Sequence, residues 1–343
     1  MSVQLSLPDR VIDPVPARRL AWVAWRRNRA TVLGLGLSLV ALGTYLALTG
    51  LRTHAAYDDL GSCIPPITTD ACRIQWTSFL NSHGSRDLTG VLLVLLPGLV
   101  GVVVGAPLLG RELESGMFRY SWTQGSGRMR WAVAVILPVA VVTMVMMGLL
   151  GTIVVWHNEP LTLAGAAQRL DSSTFPTTGL AVAGWTLLGL SIGALAGLLW
   201  RRVVPAVATS FAAWFGLAYL ASILRPHLLT PLTIKGEVPA GGLEISESWM
   251  HGGRKVGVSE VSSVLEKIGV SMSDNGMSAH VDRGGPAPPD PIAYLSQHGY
   301  TLIHTYQPDS RYWPLQWIEA GWLVLVSVAL LALTFWLIRR RSV

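Results

Sequence analysis

The sequence predicts an all-α polytopic membrane protein. Six transmembrane helices carry a roughly 90-residue mixed outer domain between the fifth and the sixth. Three observations lead there. First, six apolar stretches occupy residues 31–49, 88–109, 131–155, 180–200, 203–224 and 318–338. A hydrocarbon core about 30 Å thick takes roughly 20 apolar residues as a helix. Glu319, one residue into the last stretch, is the only ionisable side chain in any of them. Second, 15 of the 26 Lys and Arg fall in four short segments: residues 1–30, residues 111–130, the pair Arg201 and Arg202, and residues 339–343. Positive charge stays on the cytoplasmic side, so both termini are expected inside. Third, Trp131, Trp156, Trp200, Trp313, Trp317 and Trp336 stand at stretch ends, where an aromatic belt meets the headgroups.

The net charge of +6 therefore reports topology and contact with anionic lipid heads, not nucleic-acid binding. Hydrophobic residues make up 51% of the chain and charged ones 13%, as bilayer burial requires. A chain that moves protons or ions by itself needs charged stopping places within the membrane. One carboxylate at a helix end offers no such relay.

Taken in order, residues 1–30 form a cytoplasmic segment. Pro8, Pro14 and Pro16 break any helix at its start. Residues 17–29 interleave Leu20, Trp22 and Trp25 with Arg18, Arg19, Arg26 and Arg27. They suit either a short interfacial helix lying on the leaflet before the chain turns into the first span, or a plain basic anchor. Residues 31–224 hold spans one to five. The first outer loop contains the only cysteines, Cys63 and Cys72, which an oxidising exterior permits to pair; two unrelated thiols are the alternative. Span two carries Gly101 and Gly105, and span four carries Gly189, Gly193 and Gly197. Small residues at four-residue spacing let helix backbones approach, within one chain or between two. Only Arg201 and Arg202 separate spans four and five, so these form a tight inner hairpin.

Residues 225–316 are the outer domain. Residues 259–268 place Val261, Val264, Leu265 and Ile268 on one helical face. Residues 284–291 are a Gly/Pro linker, residues 292–297 a second short helix, and residues 300–306 an extended piece. Residues 317–343 are the sixth span and a basic cytoplasmic tail. Glu319 is expected near the outer interface, reaching water or Arg311. It is either a snorkelling end residue or a polar gate at the outer mouth.

The inner loop at 111–128 is dense in chemistry. Read as one helix ended by Gly125 and Gly127, it shares Leu113 and Met117 on one face and Glu112, Ser115 and Arg119 on another. Leu113, Met117, Phe118 and Trp122 offer buried contact to a partner, Glu112, Glu114 and Arg119 offer orienting charge, and Gly116 allows close approach. Contact with the lipid surface is the simpler alternative.

Several activities are excluded. No Gly-Lys dipeptide exists, so there is no P-loop, and no His precedes a Glu, so the zinc-protease motif is missing. The eight His are scattered through predicted outer segments and suggest no metal site. Residues 189–193 fit Gly-x-Ser-x-Gly, but in mid-span, without the strand–turn–helix elbow or a His base. Ser191 reads as a small residue in the glycine stripe. No catalytic residue is expected.

The run Gly105-Ala106-Pro107-Leu108-Leu109-Gly110-Arg111-Glu112-Leu113-Glu114-Ser115-Gly116, then Tyr120-Ser121-Trp122-Thr123-Gln124, resembles the type-two permease subunits of bacterial ABC exporters, actinobacterial ones especially. Residues 306–321, leading into the last span and its Arg339–Arg341 tail, resemble them too. The resemblance covers the whole chain. Met117 departs from the small residue that commonly follows the Arg-Glu-x-Glu-x-Gly pattern. The resemblance implies six spans, a coupling helix at 111–128 and a place in a bacterial plasma membrane. It also implies two copies of a cytoplasmic ABC ATPase and a second permease subunit, identical or related. ATP and Mg would sit on the ATPase, with no cofactor on this chain. The cargo class implied is hydrophobic or amphipathic: a drug, an antibiotic or a lipid-like compound. The rival reading is a membrane sensor or assembly scaffold whose outer domain binds a partner.

Overall fold

The computed structural model describes residues 17–65, 67, 69–83, 88–116, 128–236, 238–239, 241–273, 276–279 and 290–340. Six of its helices are long and apolar enough to cross a membrane, and they coincide with the six expected stretches. These are α1 (Ala17–Asp58), α3 (Leu88–Glu114), α4 (Arg128–Leu163), α5 (Gly179–Trp200), α6 (Val203–Leu224) and α9 (Tyr312–Arg340). The short helix α2 (Asp70–His83) lies between α1 and α3. The chain divides into two compact units: one of residues 1–167, 172–222 and 314–343, the other of residues 168–171 and 223–313.

In the helical unit, α1 departs from expectation. Residues 17–29 do not turn before the first span; α1 runs unbroken for 42 residues. Its length is roughly 60 Å at about 1.5 Å per residue, about twice the hydrocarbon thickness. Nothing between Ala17 and Asp58 breaks a helix, and the mixed Arg/Trp pattern is as compatible with a straight helix as with an interfacial one. α1 packs on α4 through Leu39, Leu46, Met147, Leu150 and Val154. Two histidines bind the same pair: His54 Nε2 lies 3.0 Å from the Trp156 carbonyl, and His157 Nδ1 lies 3.1 Å from that of Leu46. Cys63 and Cys72 are joined in a disulfide with Cα atoms 4.8 Å apart.

The centre of this unit is the seam between α3 and α5. A Cβ built on Gly105 would stand 2.3 Å from the Leu190 carbonyl oxygen, and one on Gly101 2.4 Å from that of Thr186. From the other side, Gly193 faces the Ala106 nitrogen at 2.7 Å and Gly197 the Ala106 oxygen at 2.4 Å; Gly189 meets Gly101 and Gly98 at 3.3 Å. All five glycines thus lie against backbone of the partner helix inside one chain, and at Gly101, Gly105, Gly193 and Gly197 a Cβ would clash with it. Leu108, Leu109, Ile136, Leu190 and Ala194 continue the core beside the seam. After α5 the chain reverses within Arg201 and Arg202, with Arg201 in the left-handed region at φ 53°.

In the second unit, β1 (Leu232–Lys235), β2 (Leu243–His251), β3 (Arg254–Val256) and β6 (Tyr300–Gln307) form an antiparallel sheet in the order β1-β6-β2-β3. A separate hairpin pairs β4 (Val270–Ser273) with β5 (Gly276–Ala279). The helix α7 (Val258–Leu265) and the 3₁₀ turn after it place Val261 and Leu265 in a core with Trp249, Val256, Val270 and Tyr300; Val264 and Ile268 flank it. This is the expected face of residues 259–268. The second short helix, α8 (Pro291–Gln297), adds Leu295. Burial, with the Glu260 carboxylate 3.4 Å away, holds the Tyr300 phenol above its ordinary range. Strands β1 to β3 carry no expectation from the sequence reading. Gly252 and Gly253 at φ 58° and 78° make the two-residue turn that joins β2 to β3. Most of the expected linker at 284–291 lies outside the described residues.

Candidate functional site

Two places in the helical unit gather the side chains on which function could turn. The first is a polar cluster within the membrane-spanning bundle. On α9, Gln316 and Glu319 are three residues apart and share a face. The Gln316 side chain accepts a hydrogen bond from the Ala181 N–H at 2.8 Å and donates one to the Phe175 carbonyl at 3.2 Å. Ala181 lies in the first turn of α5, where backbone N–H groups have no partner within their own helix. Span six therefore caps span four.

Glu319 accepts a hydrogen bond from Trp185 Nε1 at 2.7 Å. Trp185 in turn offers its carbonyl to Trp214 Nε1 at 3.0 Å. Trp214 and Trp322 meet the Trp185 ring edge-on, with centroids 5.6 and 5.5 Å away. Gly98 of α3 leaves the space that Trp214 fills; a Cβ there would stand 2.3 Å from the ring. Helices α3, α5, α6 and α9 thus meet at three indoles and one carboxylate.

This corrects the expectation for Glu319. It does not snorkel; it is 1% exposed. The Arg311 guanidinium donates to the Thr230 carbonyl and to Gln307 Oε1. The reason is where the helix starts. Hydropathy begins the span at residue 318, but α9 begins at Tyr312, so Glu319 lies two turns inside it. Sequence reading missed Gln316, Trp185, Trp214 and Trp322. The signal was there: a Trp away from a span end cannot reach the headgroups, so its N–H needs a partner inside the bundle.

The second place is the end of α3. Residues 111–128 are not one helix. α3 itself continues to Glu114, and Gly116 follows at φ 69°, the left-handed conformation that ends helices. Gly116 is needed for that turn; no atom stands within 4 Å of where its Cβ would be. Glu112 is corrected too. It is 5% exposed, on the bundle side of the last turn, and is no rim charge. Leu113 packs partly against the core. Glu114 is exposed, and its Oε2 accepts a hydrogen bond from the Val203 N–H, the first residue of α6, at 3.3 Å. Met117, Phe118, Arg119 and Trp122 lie outside the described residues. Ser191 is buried in mid-helix and donates to the Leu187 carbonyl at 2.8 Å, so the Gly-x-Ser-x-Gly match has no elbow.

A family model described as ABC-2 membrane transporter related matches residues 36–225. The chain belongs to this family. No curated protein and no solved structure matches it. The family match covers more than half of the 343 residues, from within α1 to the turn after α6, and so includes the α3–α5 seam and the Glu112–Glu114 turn. The protein is a multi-pass membrane protein and a permease subunit of an ABC transporter.

Proposed function

We propose that this permease is the membrane half of an ATP-driven exporter for a hydrophobic or amphipathic compound, coupled to a separate ATPase through residues 111–128. The contact between Glu114 and Val203 carries the reading. It ties the last turn of span two to the first turn of span five, and the glycine seam locks span two to span four. A force that reaches Glu114 is therefore passed on to three spans. The segment lacks any nucleotide motif of its own, so the force comes from a partner that binds ATP and Mg. Two ATPase copies and a second permease, identical or related, complete the assembly, with both termini cytoplasmic in the bacterial plasma membrane. The apolar stretches of the spans carry one carboxylate, Glu319, which suits an apolar cargo better than a bare ion. Alternating access is then a rigid-body change biased by the ATPase.

Two variants separate docking from coupling. Phe118→Ala with Arg119→Glu is expected to lose the ATPase on co-purification from mild detergent, while the permease still inserts. Glu114→Ala is expected to keep the ATPase bound but to lower transport-coupled ATP turnover severalfold. A Phe118/Arg119 variant that retains the ATPase and transports normally ends the docking proposal. A Glu114→Ala protein with full coupled turnover ends the role given to Val203.

A further inference from the structure

The eight histidines are scattered in sequence, yet folding brings one of them against two carboxylates. Glu247 of β2 is the direct antiparallel partner of His304 of β6, and Glu244 is the partner of Tyr306, two residues further on. Opposed residues in a sheet share a face, and so do residues two apart, so all three stand together. His304 Nδ1 lies 2.6 Å from Glu244 Oε1, and the donor atoms of the three side chains all lie within 4.8 Å of one another.

A regular strand would not allow this. Residues 244 and 247 are three apart and would point to opposite faces. The register of β2 against β6 shifts between Glu244 and Ser246, so that two steps on β2 oppose one on β6. That bulge moves Glu244 onto the face of Glu247 and His304. The same face carries Leu302, Tyr300 and Trp249 into the core a few residues along. The bulge thus brings a second carboxylate to the edge of the core side, beside a first of like charge. Two neighbouring carboxylates repel, and a single imidazole does not offset both of them. A dication offsets both.

We propose that Glu244, Glu247 and His304 form a divalent metal site, best matched to zinc. One imidazole with two carboxylates suits zinc better than calcium or magnesium, which take oxygen ligands alone. Three protein ligands leave a fourth tetrahedral position for water or for a group from another molecule. With Zn–ligand bonds of about 2.0–2.2 Å, ligand atoms stand roughly 3.3 Å apart. The close Glu244–His304 pair opens by less than about 1 Å to meet that spacing, and the widest pair closes by about 1.5 Å, within rotamer adjustment of the Glu side chains. The His304 side chain is 13% exposed and that of Glu244 42%, so an ion enters from the surface. Bound there, it pins β2 to β6 across the bulge. This inference concerns the sheet unit alone and does not depend on export.

The test uses the full-length protein in detergent, stripped with a chelator and titrated with Co²⁺, whose visible absorption reports a tetrahedral N/O site. Zn²⁺ is then added in competition. One equivalent is expected to bind. Glu247→Gln and His304→Gln are each expected to weaken binding at least tenfold and to remove the zinc-induced rise in melting temperature. Glu247 is exposed, so its variant leaves the core untouched even if His304→Gln loosens the sheet. His251→Gln is the control, since His251 instead stacks on Tyr300 and lies 3.6 Å from Glu260. Failure of the wild-type protein to bind Co²⁺ or Zn²⁺ overturns the site. So does binding that survives both Glu247→Gln and His304→Gln, or that is lost in His251→Gln.

Discussion

The α3–α5 seam and the core of the sheet unit solve the same packing problem by opposite means. The sheet unit fills its centre with Trp249, Val261, Leu265, Leu295 and Tyr300, side chains driven together because water rejects them. The seam empties its centre. At Gly101, Gly105, Gly193 and Gly197 a Cβ would come within 2.8 Å of the opposing helix backbone. Lipid is as apolar as leucine, so helices in a bilayer gain little by hiding leucines from it; they gain by close backbone approach. One region is therefore sensitive to what is removed and the other to what is added.

The largest effect expected follows from that difference. Gly105→Ala places a methyl group 2.3 Å from the Leu190 carbonyl, and backbone, unlike a side-chain tip, cannot swing away. Overpacking typically costs about 1–3 kcal/mol and sometimes more; here the upper end is expected, about 3 kcal/mol. Gly148→Ala, made in α4 with nothing within 4 Å, is the matched control and should be neutral. Thermal unfolding in detergent reads both. Equal melting temperatures for the two variants would show that the seam relaxes and is not a rigid lock.

The converse substitution belongs in the other unit. Leu265 is fully buried on α7. Leu265→Ala leaves a cavity and should destabilise by about 2–4 kcal/mol. Hydrogen exchange resolves where the loss is felt. Faster exchange in β2 and β6, with α3 and α5 unchanged, is the expected pattern. A uniform increase across all helices would mean that the two compact units unfold as one.

How much of this was legible in the sequence follows the same division. The spans were plain because the bilayer fixes their length, and the seam glycines were plain because their spacing has one common use. The face of residues 259–268 was plain because Val261, Val264, Leu265 and Ile268 recur at helical spacing. Strands β1 to β3 were not expected, although Gly252-Gly253 is a recognised hairpin turn; β2 has no clean alternation, since the bulge after Glu244 shifts its phase midway. The same bulge hid the Glu244, Glu247 and His304 cluster, which only pairing across some 60 residues brings together. Residues 111–114 misled for a different reason. A helix that leaves the membrane keeps going until something stops it, and hydropathy marks the membrane boundary, not the stop at Gly116.

Glu319 misled in the same way, and it sharpens the comparison at the smallest scale. Its carboxylate is as buried as any core leucine, and it accepts a directed hydrogen bond from Trp185. Polar contacts between membrane helices average only about 0.6 kcal/mol and reach about 1.7 at most. Glu319→Gln keeps an acceptor for the indole N–H and should lower stability by about 0.6 kcal/mol or less. Glu319→Leu leaves that N–H unsatisfied in the bundle and should cost about 1–2 kcal/mol. If stability depends on the acceptor alone, the two variants separate, and hydrogen exchange rises around Ala181 and Trp185 only for Leu. If Gln is as harmful as Leu, the charge itself matters, and the carboxylate holds more than one indole. Transport decides the remaining question. A stable Glu319→Gln protein that transports at the wild-type rate makes the residue a brace between spans four and six. One that is stable but transports severalfold more slowly makes it part of the cargo path.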